Sequence, residues 1–252
     1  MLKTRVIPCL LLRNRGLVKT VKFKNPRYIG DPINTVKIFN EKEVHELVFL
    51  DIDATVEKRK PFFEVIARIA SECFIPFAYG GGVRSIEDMK KIFSLGVEKI
   101  VINSYAVENP LFVRRAADEF GGQSIVVSID VKKTFFNSYR VHIHGGRKET
   151  GLDPVDFAEQ IERMGAGEIF LTSIDRDGTW EGYDIELIRK VSNAVHVPVI
   201  ACGGAGKIED FSEAVKRGGA SAVASGSLFV YQAKGRGVLV NFPDQKELEK
   251  VL

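Results

Sequence analysis

Cysteine is scarce, with three in 252 residues. Cys9, Cys73 and Cys202 are an odd, scattered set in apolar stretches, which excludes a disulfide framework and a cysteine-rich metal site and fits a reduced compartment. Histidine is scarce too. His142 and His144 stand two apart on one face of a probable hairpin, His45 and His196 lie elsewhere, and none has metal-ligand spacing. Neither a metal, a cofactor nor a covalent nucleophile is expected. No apolar run is long enough to span a bilayer, and no signal-type h-region follows Met1-Leu2-Lys3, so a cytoplasmic chain without membrane contact is expected. Charge of one sign is missing as well: a net charge of +3 is too small to argue for nucleic acid. The clearest basic cluster, Arg13, Arg15, Lys19, Lys22, Lys24 and Arg27, falls in one early segment and reads as a local anion attractor. Linkers and low-complexity runs are also absent, which predicts a single domain over 1–252.

What is present is a duplication. Pro76 to Ser104 and Pro198 to Gly226 are copies half a chain apart. Each reads as an apolar strand, a glycine turn (Gly81-Gly82 or Gly203-Gly204), an amphipathic helix and a second strand ending in small polar residues. The glycines let backbone amides approach an anion, and the helix that follows presents free N–H groups and a positive dipole end. Gly82, Asn103 and Ser104 would form one phosphate cradle, and Gly204, Ser225 and Gly226 the other. Tight βα turns are the plain alternative, but the duplicated glycine-plus-polar pairing favours a bisphosphorylated ligand.

The wider pattern is eightfold. Strands are predicted at Arg5–Leu12, Glu46–Asp51, Pro76–Tyr79, Lys99–Asn103, Ser124–Asp130, Glu168–Thr172, Pro198–Ala201 and Ala222–Ser225. Helices fall between them, among them Pro61–Cys73, Ser85–Leu95, Pro154–Met164 and Ile208–Arg217. Such alternation predicts an α/β fold, a (β/α)8 TIM barrel of two half-barrels, about 1–122 and 123–252. Long loops are expected at Arg13–Asp31 and Val131–Gly151. An extended run at Val238–Pro243 and a helix over Asp244–Leu252 close the chain.

Chemistry belongs at the carboxyl ends of barrel strands. Asp130 ends the fifth strand, where a carboxylate can act as general acid or base; a partner for Lys132 and Lys133 is its plain alternative. Half-barrel symmetry places its counterpart at Leu11, which cannot transfer a proton. Ser173 to Thr179 is polar, and Asp177 and Gly178 there read either as substrate contacts or as an ordinary capped loop. At the opposite barrel end, Arg5, Glu46, Lys99 and Glu168 begin four strands. Two cations and two anions converging there should pair, as a stabilising plug or as a gate.

These stretches, above all Gly30-Asp31-Pro32, Glu46 to Ile52, Gly165 to Gly178 and Gly203 to Lys207, resemble the cyclase subunit family of imidazole glycerol phosphate synthase. The resemblance runs from Arg5 to about Phe229. It implies a partner glutaminase whose ammonia enters through a gate at Arg5, Glu46, Lys99 and Glu168. Ammonia then climbs the barrel to a bisphosphorylated aminoimidazole-carboxamide ribulosyl nucleotide. It further implies Asp130 as one of two essential aspartates, Lys19 on a loop closing over substrate, and Gly82, Asn103, Ser104, Gly204, Ser225 and Gly226 at two phosphate sites. Leu11 departs from the pattern. Together with the Val238–Pro243 ending, it resembles a paralogue of surface-polysaccharide gene clusters that supplies ammonia to an N-acetyl-sugar amidotransferase. The alternative is a genuine cyclase of histidine synthesis.

Overall fold

A computed structural model describes residues 4–42 and 44–252, so Met1-Leu2-Lys3 lie outside the described residues. Its strands in chain order are β1 (Arg5–Arg13), β2 (Gly16–Val21), β3 (Lys24–Gly30), β4 (Leu47–Asp51), β5 (Phe77–Gly80), β6 (Lys99–Ile102), β7 (Ile125–Lys133), β8 (Tyr139–Ile143), β9 (Lys148–Glu149), β10 (Glu168–Ser173), β11 (Val199–Cys202) and β12 (Ala222–Ser225). Eight of these, β1, β4, β5, β6, β7, β10, β11 and β12, pair in parallel in that order, and β12 returns to β1. The sheet is therefore closed, with helices between its strands: a (β/α)8 barrel, as the eightfold pattern predicts.

Local chemistry sets the helix bounds. The helix Ile86–Ser94 starts where the Ser85 hydroxyl accepts the Asp88 amide, carries Glu87 and Asp88 in its first turn, and buries Met89 and Ile92. Pro154–Arg163 starts with an Asp153 cap and proline in its first turn. Strand alternation sends one set of side chains outward to the helices and the other inward. The inward set, Ile7, Cys9, Val48, Ala78, Val101, Val126, Phe170, Ile200, Ala222 and Ala224, packs as an apolar cluster along the barrel axis.

Two expectations change. The predicted loop Arg13–Asp31 is a hairpin of β2 and β3 built onto β1. Its turns place Asn14-Arg15 and Lys22-Phe23 at positive φ, the geometry of tight hairpin turns, without the glycine that would have signalled it. The fifth barrel strand also runs past its predicted end, because β8 pairs with β7 from Asp130↔His142 to Lys133↔Tyr139. Near the carboxyl terminus, Val238 makes one bridge to Tyr231, and the helix Gln245–Val251 follows an Asp244 capping box. Among the described residues no helix is long and apolar enough to cross a membrane.

Candidate functional site

At the amino-terminal ends of the strands, the four predicted charges form one ring. Arg5 donates to Glu46 and, at 2.6 Å, to Glu168; Lys99 lies 3.0 Å from each carboxylate. Burial lowers the guanidinium pKa, and the two carboxylates more than reverse it, leaving Arg5 raised. Each anion thus spans both cations, and the ring closes the barrel axis at that end.

Above the apolar cluster a cavity of about 800 Å³ opens at the carboxyl-terminal ends. Cys9, Leu11, Leu50, Val101, Phe170 and Cys202 supply its apolar wall. Its carboxylates Asp51, Asp53 and Asp177 are matched by Arg59, Arg13 and Lys19. Lys22, Lys24, Arg84, Lys132 and Arg147 line it with no ion pair among the described residues. The surplus of positive charge attracts anions.

Asp130 sits in this wall, buried at the top of the β7 barrel run. Asn103 Nδ2 donates to it at 3.2 Å and Ser128 Oγ at 3.3 Å. Its partners are thus neutral groups, not Lys132 or Lys133. Burial raises its pKa to about 7, against the pull of Ser128, Asn103 and Thr172 and with a push from Asp177. Such a carboxyl exchanges protons near neutrality. Leu11 lines the same cavity, so the symmetry-related wall presents hydrocarbon.

The first cradle opens to this cavity and most of the second does not. Gly82, Asn103, Ser104 and Gly226 line it; Gly178, Gly204 and Ser225 do not. A Cβ on Gly204 would meet the Gly182 carbonyl oxygen at 2.2 Å, and Gly182 N donates to Gly204 O at 2.9 Å, so the 173–183 segment lies over that turn. There Asp210 takes the Gly206 and Lys207 amides, whereas the matching Asp88 pairs with Lys60. Ser104 and Asn103 are also tied inward: Ser104 Oγ donates to Asn103 Oδ1 and accepts the His144 amide.

Lys19 is buried, with its ammonium 2.7 Å from Asp177, and Thr20 Oγ1 donates to the same carboxylate at 2.9 Å. Asp177 also takes the Phe23 amide, and its carbonyl takes that of Lys22. A side chain at Gly178 would strike Thr20 O at 2.6 Å. Asp177 and Gly178 therefore hold the β2–β3 hairpin closed over the mouth, and Asp175 anchors the β7–β8 hairpin through the Lys133 amide. Sequence reasoning missed Ser128, although alternation from Asp130 points it inward; it read Lys132 only as a loop partner of Asp130 and Arg13 as part of a local anion attractor, and it missed the pairing of Arg13 with Asp53. No group of three or more His, Cys, Asp and Glu is placed to hold a metal among the described residues.

The family model for histidine biosynthesis protein matches residues 5–235. A Pseudomonas aeruginosa protein provisionally named imidazole glycerol phosphate synthase subunit hisF2 is 53% identical over 99% of both chains. A Leptospira interrogans protein provisionally named imidazole glycerol phosphate synthase subunit HisF is 48% identical over 99% of this chain and 98% of its own. Imidazole glycerol phosphate synthase subunit HisF of Lactococcus lactis is 48% identical over 92% of this chain and 90% of its own.

Proposed function

The chain belongs to the histidine biosynthesis protein family, and from that premise we propose that it is the barrel subunit of a glutamine amidotransferase that delivers ammonia for amidation of an N-acetyl sugar. A glutaminase docks on the amino-terminal face, and its ammonia enters where Arg5, Glu46, Lys99 and Glu168 now pair. The route onward is apolar. Val48, Ala78, Val126 and Ile200 suit neutral ammonia and disfavour ammonium, because an unpaired ion in such surroundings is costly. The basic cavity suits a phosphorylated ligand, held by Gly82, Asn103, Ser104 and Gly226 with Lys19 above.

The observation that carries this reading is a complete charged ring and an apolar barrel interior beneath a cavity whose wall holds Asp130 and, at the symmetry-related position, Leu11. Conduction needs only the ring and the lumen; ring closure on the histidine-pathway nucleotide needs two proton-transfer groups. A genuine cyclase is the second reading, favoured by Asp130, which is poised to exchange protons near neutrality, and by the name of the Lactococcus relative.

Glutamine labelled with 15N in its amide tests the proposal in the complex with glutaminase and the sugar amidotransferase. Label in the amidated sugar is expected. Ala224→Leu, which crowds the lumen, should lower transfer roughly tenfold or more while added ammonium salt restores it. Undiminished transfer in that variant, or label that stays in free ammonium, argues against the barrel as conduit.

A further inference from the structure

The β7–β8–β9 hairpin carries a row of titratable groups that starts in the cavity wall at Asp130 and continues through His142 and Glu149, which belong to neither the wall nor the ring. Asp130 stands directly opposite His142, and His142 stands opposite Glu149. Opposed residues in antiparallel strands project on one face, with Cβ atoms roughly 4.5–5.5 Å apart. Tyr139 and Val141 pack outward with Ile129 and Val131 in the helix-facing core. By alternation His142 therefore shares the inner face with Asp130. The row starts at a buried carboxyl, passes a buried imidazole and ends at a half-exposed carboxylate.

One end of this line is a contact: His142 Nε2 lies 3.9 Å from Glu149, while its Nδ1 is buried with no hydrogen-bond partner among the described residues. Buried polar atoms without partners are rare and call for an explanation. We infer that His142 carries protons between Asp130 and Glu149, a positioning residue that keeps the cavity carboxyl in exchange with solvent. The inference rests on Asp130 being the proton-exchanging group of the cavity and not on which acceptor takes the ammonia.

The proton inventory closes. Asp130 passes a proton to Nδ1 through one water, since the two are not in direct hydrogen-bond contact. The imidazolium gives its Nε2 proton through a bridging water to Glu149, 3.9 Å away, which releases it to solvent; the reverse passage, Glu149 to Nε2 and Nδ1 to Asp130, returns a proton to the carboxyl and restores the first tautomer. The neutral imidazole has one donor and one acceptor nitrogen, which this sequence requires. Other charges facing the row are Asp177 with Lys19 across the mouth, Lys132 and Arg140 two positions further along the hairpin, and His144 with Glu108 beside its base.

The whole chain, without glutaminase or acceptor, suffices for the test. Asp130 is followed by 13C carboxyl NMR and His142 by 15N imidazole NMR from pH 4 to 10, with Asp130→Asn to assign the signal. Coupling should give two-step curves for both groups. In His142→Gln the Asp130 curve should become single-step, its midpoint rising by roughly half a unit or more because the neighbouring imidazolium is gone. Glu149→Gln, a surface change, should lower the His142 midpoint, and it serves if His142→Gln does not fold. An Asp130 curve unmoved by His142→Gln in a folded protein, or a His142 curve unmoved by Glu149→Gln, overturns the inference. Either result leaves the ammonia proposal standing, since the titration involves no ammonia transfer.

Discussion

Asp130 loses water on folding and gains only neutral hydrogen-bond donors, so its carboxyl titrates near pH 7, far above the usual carboxylate range. Between the unfolded and folded pKa values the folded chain holds more protons than the unfolded chain. Its stability contribution is therefore complete at low pH and is lost as pH rises through 7. Asp130→Asn should remove that loss. Stability should rise at pH 8 by up to ~4 kcal/mol and be unchanged near pH 4, with melting curves across that range as the check. An equal gain at both pH values would mean that ionisation is not the cause. At this scale the sequence was readable where symmetry or alternation applied: the duplication paired Leu11 with Asp130, and both line the cavity. The pairing of Asp177 with Lys19 was not readable, because the two residues are 158 apart in the chain and meet only through a hairpin.

Among the elements, the β2–β3 hairpin has the most to explain. Lys22 and Phe23 take positive φ at its tip, a conformation unfavourable for side-chain-bearing residues. Asp177 compensates by accepting both tip amides and matching the buried Lys19. Asp177→Ala should therefore release the hairpin. Trypsin should then cut at Lys22, Lys24 or Arg27 at least ~10-fold faster, since breaking a buried ion pair strands its partner. Lys22→Asn with Phe23→Gly, which suits the turn, should slow cleavage again in that background. Equal cleavage of wild type and Asp177→Ala would show that the hairpin is held by other contacts. The barrel strands were legible because eight short β-rich runs alternate with helical periodicity. This hairpin was not, because its turns lack glycine and its basic residues look like a solvated loop.

For the molecule as a whole, the duplication specifies the scaffold more strictly than the site. Both halves build a strand, glycine turn, helix and strand, yet only the first turn opens fully into the cavity; the second is covered by its neighbouring loop. The charged ring draws on both halves, Arg5, Glu46 and Lys99 from the first and Glu168 from the second. On the proposed function, the ring and the apolar barrel interior would still serve conduction, whereas the proton-transfer pair above them is reduced to Asp130. Loss of one such group costs roughly 10²- to 10⁴-fold in rate, enough to separate a conduit from a cyclase.

The most direct test is the rate at which the chain consumes the bisphosphorylated aminoimidazole-carboxamide ribulosyl nucleotide at saturating ammonium, beside the Leu11→Asp variant. A barrel that conducts ammonia without closing the ring should give a wild-type rate at least ~10²-fold below that of Leu11→Asp. A wild-type rate on the order of 1 s⁻¹ or more, typical of enzymes, would contradict that reading and make the chain a cyclase.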